Sequence, residues 1–331
     1  VLLAIATTCL LLFATWGGGK YEWKDPIILA LIAGTIASAV AFVMVERRTA
    51  EPIIPLHLFK DLNFNVSTIA GLLIGVAMFG AIGYLPTYLQ MAFSVNATES
   101  VLLMIPMMGA LLVASVVSGQ LVSRTGRYKW MPIAGGVLVA IALVLLSTLK
   151  PGAPLWEICA YLAVMGLGLG LSMQIMVLIV QTSFPLREVG TATASNNFFR
   201  QIGATLGSAV VGSLFASRLA ELLTERLPAA ASGGGAPGGS NSLTPAVVSQ
   251  LPAPIKEAII SSYNDALTPI FIWMVPLALA AAVLMCFVQQ KPLATAIEHD
   301  VLSESIAEGN ILITADDADD AALVLAPRSK N

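Results

Sequence analysis

Eight apolar runs, most of them long enough to cross a bilayer, are separated by short segments that hold nearly all the charge, and few folds can accommodate that pattern. The runs fall at 1–16, 27–45, 65–90, 101–122, 130–148, 155–180, 191–217 and 269–289. In hydrocarbon every backbone N–H and C=O must be satisfied by protein, so only helices and closed barrels can span. These runs are continuous in Leu, Ala, Val and Met rather than alternating, which predicts helices. The fold class expected is therefore an all-α polytopic membrane protein. Composition agrees, since 57% of the residues are hydrophobic and 11% charged, with a mean hydropathy of +0.83. A soluble domain has about a quarter of its residues charged. The net charge of −3 gives no footing for nucleic acid as a partner; the partner implied is the lipid bilayer. Cys9, Cys159 and Cys286 lie one per run without metal or disulfide spacing, and are expected as small buried hydrophobes.

The first run is short. Its sixteen residues reach roughly 24 Å as a helix, less than the ~30 Å of a hydrocarbon core, and the chain opens on Val1, so a helix cut within its length is expected. Charge then orients the spans. Arg47, Arg48, Lys60, Arg124, Arg127, Lys129 and Arg187 fall on one side, and Lys20, Lys24 and Lys150 on the other, which places the first set in the cytoplasm. The resulting organisation is a helix pair (1–45), a cytoplasmic amphipathic connection (46–64), a six-helix unit (65–289) and an acidic cytoplasmic tail (290–331). Residues 218–268 form a long external connection. Its stretch from Ala229 to Ser242 is too rich in Gly, Ala, Ser and Pro to build a core. Beyond it Ile255, Ile259, Tyr263 and Leu267 recur every four residues, predicting an amphipathic helix near the outer surface.

Several motifs carry a family resemblance. The turn Gly119-Gln-Leu-Val-Ser-Arg-Thr-Gly-Arg-Tyr-Lys129 resembles the cytoplasmic gate loop of the major facilitator superfamily, with Gly119, Arg124, Gly126 and Arg127 matching and Ser123 standing where that family prefers Asp. Physically, Gly126 permits a tight turn, Gly119 permits close helix approach, and the arginines can bond helix C-terminal carbonyls. The segment Glu46-Arg-Arg-Thr-Ala-Glu-Pro-Ile-Ile-Pro-Leu-His-Leu-Phe59 is similar to the connection after the inserted helix pair in the fourteen-helix drug:proton antiporters of that superfamily. Pro52 and Pro55 forbid a continuous helix there, so Ile54, Leu56, Leu58 and Phe59 should lie along the surface against lipid or protein. The stretches Tyr84–Gln90, Gly166–Gln174, Gly190–Ser195 and Arg200–Gly207 follow in family order. The resemblance covers Val1 to about Pro292 and implies helices seven to fourteen: the inserted pair and a C-terminal six-helix bundle. It further implies export of small amphipathic or cationic substrates by alternating access, proton-driven with no other cofactor, from the plasma (inner) membrane of a bacterium. The partner completing it would be the N-terminal helices of the same transporter.

The residues themselves suggest where such a pathway could run. Gly166, Gly170, Gln174 and Gln181 return to nearly one helical stripe, and amides on a spanning helix avoid lipid, so they either bond neighbouring helices or line a polar cavity. Pro86 should break the third span, bringing Tyr84, Thr87 and Tyr88 to the kink, either as an interfacial aromatic belt or as a pocket wall. Arg200 is the intramembrane charge that stands out; expected roughly 13 Å inside its span, it must snorkel or find a carboxylate. Gly203 and Gly207, with Gly212 nearby, suit close helix packing. Asn96 and Glu99 fit a helix-capping box. His57 and His299 lack ligand-spaced partners, so no metal site is expected. A metabolite facilitator or importer of the same fold and a helix module without transport of its own remain as alternatives. A membrane enzyme would need clustered His, Asp or Glu, which the sequence lacks.

Overall fold

The computed structural model describes residues 1–17, 21, 24–49, 52–93, 95–226, 248 and 252–291. Helices α1 (Leu2–Trp16) and α2 (Pro26–Glu46) form an antiparallel pair, Asp25 capping α2 by accepting from the Ile27 N–H. A single 3₁₀ segment (Leu56–Lys60) then leads into α3 (Leu62–Ile82), α4 (Leu85–Phe93), α5 (Ala97–Leu102), α6 (Ile105–Thr125), α7 (Trp130–Ser147), α8 (Leu155–Gln181), α9 (Leu186–Arg226) and α10 (Ala253–Met285). Among the described residues seven helical spans are long and apolar enough to cross a membrane, with Leu2–Trp16 a shorter apolar helix. The chain is a multi-pass membrane protein.

Local chemistry explains the breaks. Pro86 cannot donate to the Ile82 carbonyl, and the third span divides at Gly83–Tyr84 into α3 and α4. Pro106 divides the fourth span the same way into α5 and α6. Asn96 and Glu99 make the expected capping box at the start of α5, each side chain accepting from the other's backbone N–H.

The bundle is built on helix pairs that touch backbone to backbone: α3 on α9, α6 on α8, α7 on α8 and α10. A Cβ on Gly207 would lie 2.6 Å from Val76 Cα, and one on Gly203 would lie 2.9 Å from the Leu72 carbonyl carbon. Gly75 and Gly80 answer from α3, so the small-residue face of α9 is a packing face, as its spacing suggests. Gly166 and Gly170 bring α8 equally close to Met107 and Ala114 of α6.

Three expectations need correction. The helix beginning after Pro252 does not lie on the outer surface. It runs unbroken through Pro269 and Pro276 as α10, and Ile259, Tyr263 and Leu267 are buried in the bundle. Proline is tolerated inside such a helix because neighbouring helices supply the packing and polar partners that the freed carbonyls need. Likewise α9 continues to Arg226, whose guanidinium donates to Asp265 (2.7 Å) and Ser261 (3.1 Å) of α10, so the external connection is helical at both ends. The Ala229–Ser242 stretch and the acidic tail from Pro292 lie outside the described residues. The cysteines are less buried than expected, Cys286 being exposed and Cys9 and Cys159 half-buried, because each sits on a side of its helix turned away from the bundle's interior.

At the end of the bundle that carries the 56–60 segment, Leu58 and Phe64 are fully buried with Val180 and Ala192, Phe184 packing on them. The connection is thus a plug under the bundle, its Leu58 facing protein, while Phe59 stacks edge-on against Phe64 and Phe199.

Candidate functional site

The structure separates the candidate residues into four places. At the kink of the third span, Tyr84 and Thr87 line a cavity of about 440 Å³ together with Thr205, Ser208, Ser213 and Tyr263. Thr15 of α1 closes one side. The rings of Tyr84, Phe215 and Tyr263 touch in series, the first pair tilted and the second edge-on, centroids 5.7 and 5.6 Å apart. Gly212 leaves room for the Tyr84 ring, which a larger side chain would push aside. Tyr88, expected beside Tyr84, is turned the other way: it is 1% exposed and donates to Asn264 Oδ1 at 2.8 Å. Tyr84 closes the break before α4, and Tyr88 lies in the first turn of α4, its N–H donating to the Tyr84 carbonyl; Tyr88 ties α4 to α10 instead of facing the cavity.

Gln174 and Gln181 lie elsewhere. Both are exposed with Leu167 along one seven-residue stripe of α8, whereas Ser172, Ile175, Met176, Ile179 and Val180 on the other sides are buried. Because α8 ends at Gln181, that amide sits at the end of the span, and Gln174 lies about 10 Å further in rather than at mid-span. Gly166 and Gly170 start the same stripe but face α6; four-residue steps drift around the helix, which is why they part from the glutamines.

Arg200 sits against Gly71 of α3, whose hypothetical Cβ would lie 3.9 Å from the Arg200 Cβ. Since α9 begins at Leu186, Arg200 is about 21 Å along it, deeper than a start at Thr191 implies. It makes no ion pair among the described residues. Thr193, Asn197 and Arg200 recur at positions that share a helix face, and the side-chain oxygens of Thr193 and Asn197 are buried without a hydrogen-bond partner among the described residues. Their neighbour Asn196 is satisfied, donating to Thr68 Oγ1 at 3.2 Å.

The turn between α6 and α7 takes the form its sequence suggests at Gly126, which closes α6 in a left-handed conformation (φ 67°) with its N–H donating to the Val122 carbonyl. Gly119 departs from expectation. No atom of the described residues would approach its Cβ within 4 Å, because its side of α6 is exposed along with Leu112, Val113, Val116 and Val117. Arg124 and Arg127 are on the same exposed end, without ion pairs among the described residues.

Sequence reading missed a strap at this end. After α10, Gln290 donates to the Gly126 carbonyl (2.9 Å), Tyr128 exchanges hydrogen bonds with the Lys291 backbone, Asn63 exchanges two with Gln289, and Lys291 Nζ donates to Asp61 (3.0 Å). His57 pairs with Glu188 at 2.8 Å. All of these join segments placed on the cytoplasmic side by charge alone. Asn264 was also missed, hidden by assigning residues 218–268 to a loop; the signal was the apolar period from Ile255 running straight on into the last span.

Comparison with known proteins follows the same lines. The sequence profile described as Major Facilitator Superfamily matches residues 1–208. An uncharacterized MFS-type transporter of Mycobacterium tuberculosis is 36% identical over 293 residues, 88% of this chain and 42% of the relative. The multidrug transporter protein MdtP of Bacillus subtilis is 36% identical over 67% of this chain and 41% of its own length. A tetracycline resistance determinant of Streptomyces rimosus is 35% identical over 63% of this chain and 60% of its own. The chain thus spans less than two thirds of each of these relatives. Among solved structures, a bacterial homolog of the human lysosomal transporter Spinster, inward-facing and occupied, superposes with a TM-score of 0.56 over 87% of this chain and 67% of that one, at 12% identity, a likeness of fold.

Proposed function

The chain belongs to the major facilitator superfamily, and on that footing we propose that it forms the second half of a secondary transporter that exports small amphipathic compounds by proton-coupled alternating access. Its setting in this reading is the plasma membrane of a bacterium, in keeping with the mycobacterial and bacillar relatives. The multidrug and efflux names of several relatives favour export and a broad substrate class.

The observation that carries the reading is Gln174. It is an amide inside a spanning segment, exposed on the surface of the bundle, and lipid offers an amide no partner. The exposed side of α8 is therefore a surface meant to be covered by another helical unit or to face water. The neighbouring α9 also leaves Arg200 without a carboxylate among the described residues, the condition of a charge awaiting a partner. In transporters built from paired repeats, substrate binds at the interface between the repeats, and rocking of one against the other gives access to each side in turn. Arg124 and Arg127 beside the Gly126 turn are placed to meet the facing half at the cytoplasmic rim. Residues 1–331 alone should accordingly give no export.

The test is Gln174→Leu in the full-length protein, which removes the hydrogen bonds at nearly constant volume. As helix glue the amide would be worth about 1 kcal/mol of stability; as part of the pathway its loss should change which dyes leave the cell at unchanged membrane abundance. Identical normalised efflux for every dye would contradict the assignment.

A further inference from the structure

The geometry points to a second small-molecule site, in the seam between α1 and the bundle, that takes an uncharged hydroxyaromatic compound. This inference rests on the cavity and not on transport.

Two hollows lie along that seam, and they differ in chemistry. Toward the cytoplasm, about 280 Å³ is enclosed almost wholly by apolar groups such as Leu10, Phe42, Phe199 and Ile202, a surface suited to lipid chains. Toward the outside lies the cavity of about 440 Å³ at the α3–α4 kink, a size within the range of small-molecule pockets. No charged side chain lines it, yet hydroxyls reach it from α1, α4, α9 and α10. Some are spent locally: Thr15 and Thr205 donate to the carbonyls one turn back. The hydroxyls of Tyr84, Thr87, Ser208, Ser213 and Tyr263 make no hydrogen bond among the described residues, so their capacity is open to whatever fills the space.

Lipid chains cannot satisfy hydroxyls, and several of them opening on one cavity at membrane depth favour a polar occupant. A hydroxyl both donates and accepts, so this lining suits phenolic or carbonyl groups without selecting for charge. A full charge would enter without a counter-ion and lose its hydration. The rings of Tyr84, Phe215 and Tyr263, tilted and edge-on to one another, give the cavity aromatic edges and faces against which an aromatic core can pack. The α8 stripe contributes nothing to this lining, so the site is separate from the pathway assigned to Gln174. Its α1 wall belongs to the helix pair, which places the entrance where an interfacial compound could slip in between pair and bundle.

The experiment uses the purified 331-residue chain in phosphatidylcholine nanodiscs, with 4-methylumbelliferone in mildly acidic buffer, where its hydroxyl is protonated, as the fluorescent probe. Saturable binding is expected. The double substitution Thr87→Val and Ser208→Ala should weaken it about tenfold, the worth of one or two hydrogen bonds. Thr15→Trp, on a helix outside the bundle's core, should abolish it by filling the space, and Val144→Ala, on the lipid-facing side of α7, should leave it unchanged. Ethidium, a permanent cation, should not compete. Absence of saturable binding, equal affinity in the wild type and both cavity variants, or displacement by ethidium as effective as by unlabelled hydroxycoumarin would each overturn the assignment; retention of co-purified phospholipid in its place would identify a lipid site instead.

Discussion

The helix pair and the six-helix bundle are both made of apolar helices, yet they are held in different ways. In the bundle, glycines bring backbones into contact and whole faces are consumed: α3 buries thirteen of its residues. The pair buries only Ala6 and Ala14 of α1, and Ile28, Ser38 and Glu46 of α2. Lipid tails are as apolar as leucine, so apolarity alone cannot drive one helix onto another in a membrane. What separates a packed helix from a loosely attached one is the small residue that lets backbones meet and the buried polar group that must be partnered.

The largest effect should come from filling a bundle contact. Gly207→Leu drives a side chain into the Val76 backbone and should cost at least ~3 kcal/mol; membrane abundance and the thermal unfolding midpoint would show it, and a near-wild-type midpoint would break the comparison. A moderate effect is expected at the buried Tyr88–Asn264 bond. Tyr88→Phe and Asn264→Leu should each lose about 1 kcal/mol, with a coupling of similar size in the double mutant. Smaller still is Lys291→Met. Its pair with Asp61 is partly exposed, so the loss should be about 0.5 kcal/mol and shrink in high salt. The smallest belongs to the pair: a Cβ on Gly34 would meet only Cys9 Sγ, at 3.4 Å, and Gly34→Ala should shift stability by less than about 0.5 kcal/mol. A loss at Gly34 as large as at Gly207 would mean the pair is packed like the bundle.

Most of this fold is legible in the sequence because hydrocarbon permits so few answers. The spans, the break at Pro86, the Asn96–Glu99 cap and the turn at Gly126 each follow from a local rule. Where reading fails, the cause is tertiary. Pro269 looks like a helix start, but the packing of Ile259, Tyr263 and Leu267 carries α10 through it. Tyr84 and Tyr88 look equivalent, yet one sits in the break before α4 and lines a cavity while the other, inside α4, bonds Asn264 of α10. The hydroxyls of Thr205, Ser208 and Ser213 are unremarkable on α9 until α1 is laid beside them. Gly119 gives the opposite lesson: its motif implies a close neighbour, and none of the described residues supplies one.

The central claim is that the exposed α8 stripe around Gln174 borders an aqueous pathway and not lipid. Its most direct test places Gln174→Cys in the full-length protein lacking Cys9, Cys159 and Cys286, beside Val144→Cys on the exposed face of α7, and compares their rates of modification by a small hydrophilic methanethiosulfonate. Fast labelling at 174, slow labelling at 144, and slowing at 174 by an exported dye are the results expected; equal and slow labelling at both positions would put Gln174 in lipid or in a dry helix contact and contradict the claim.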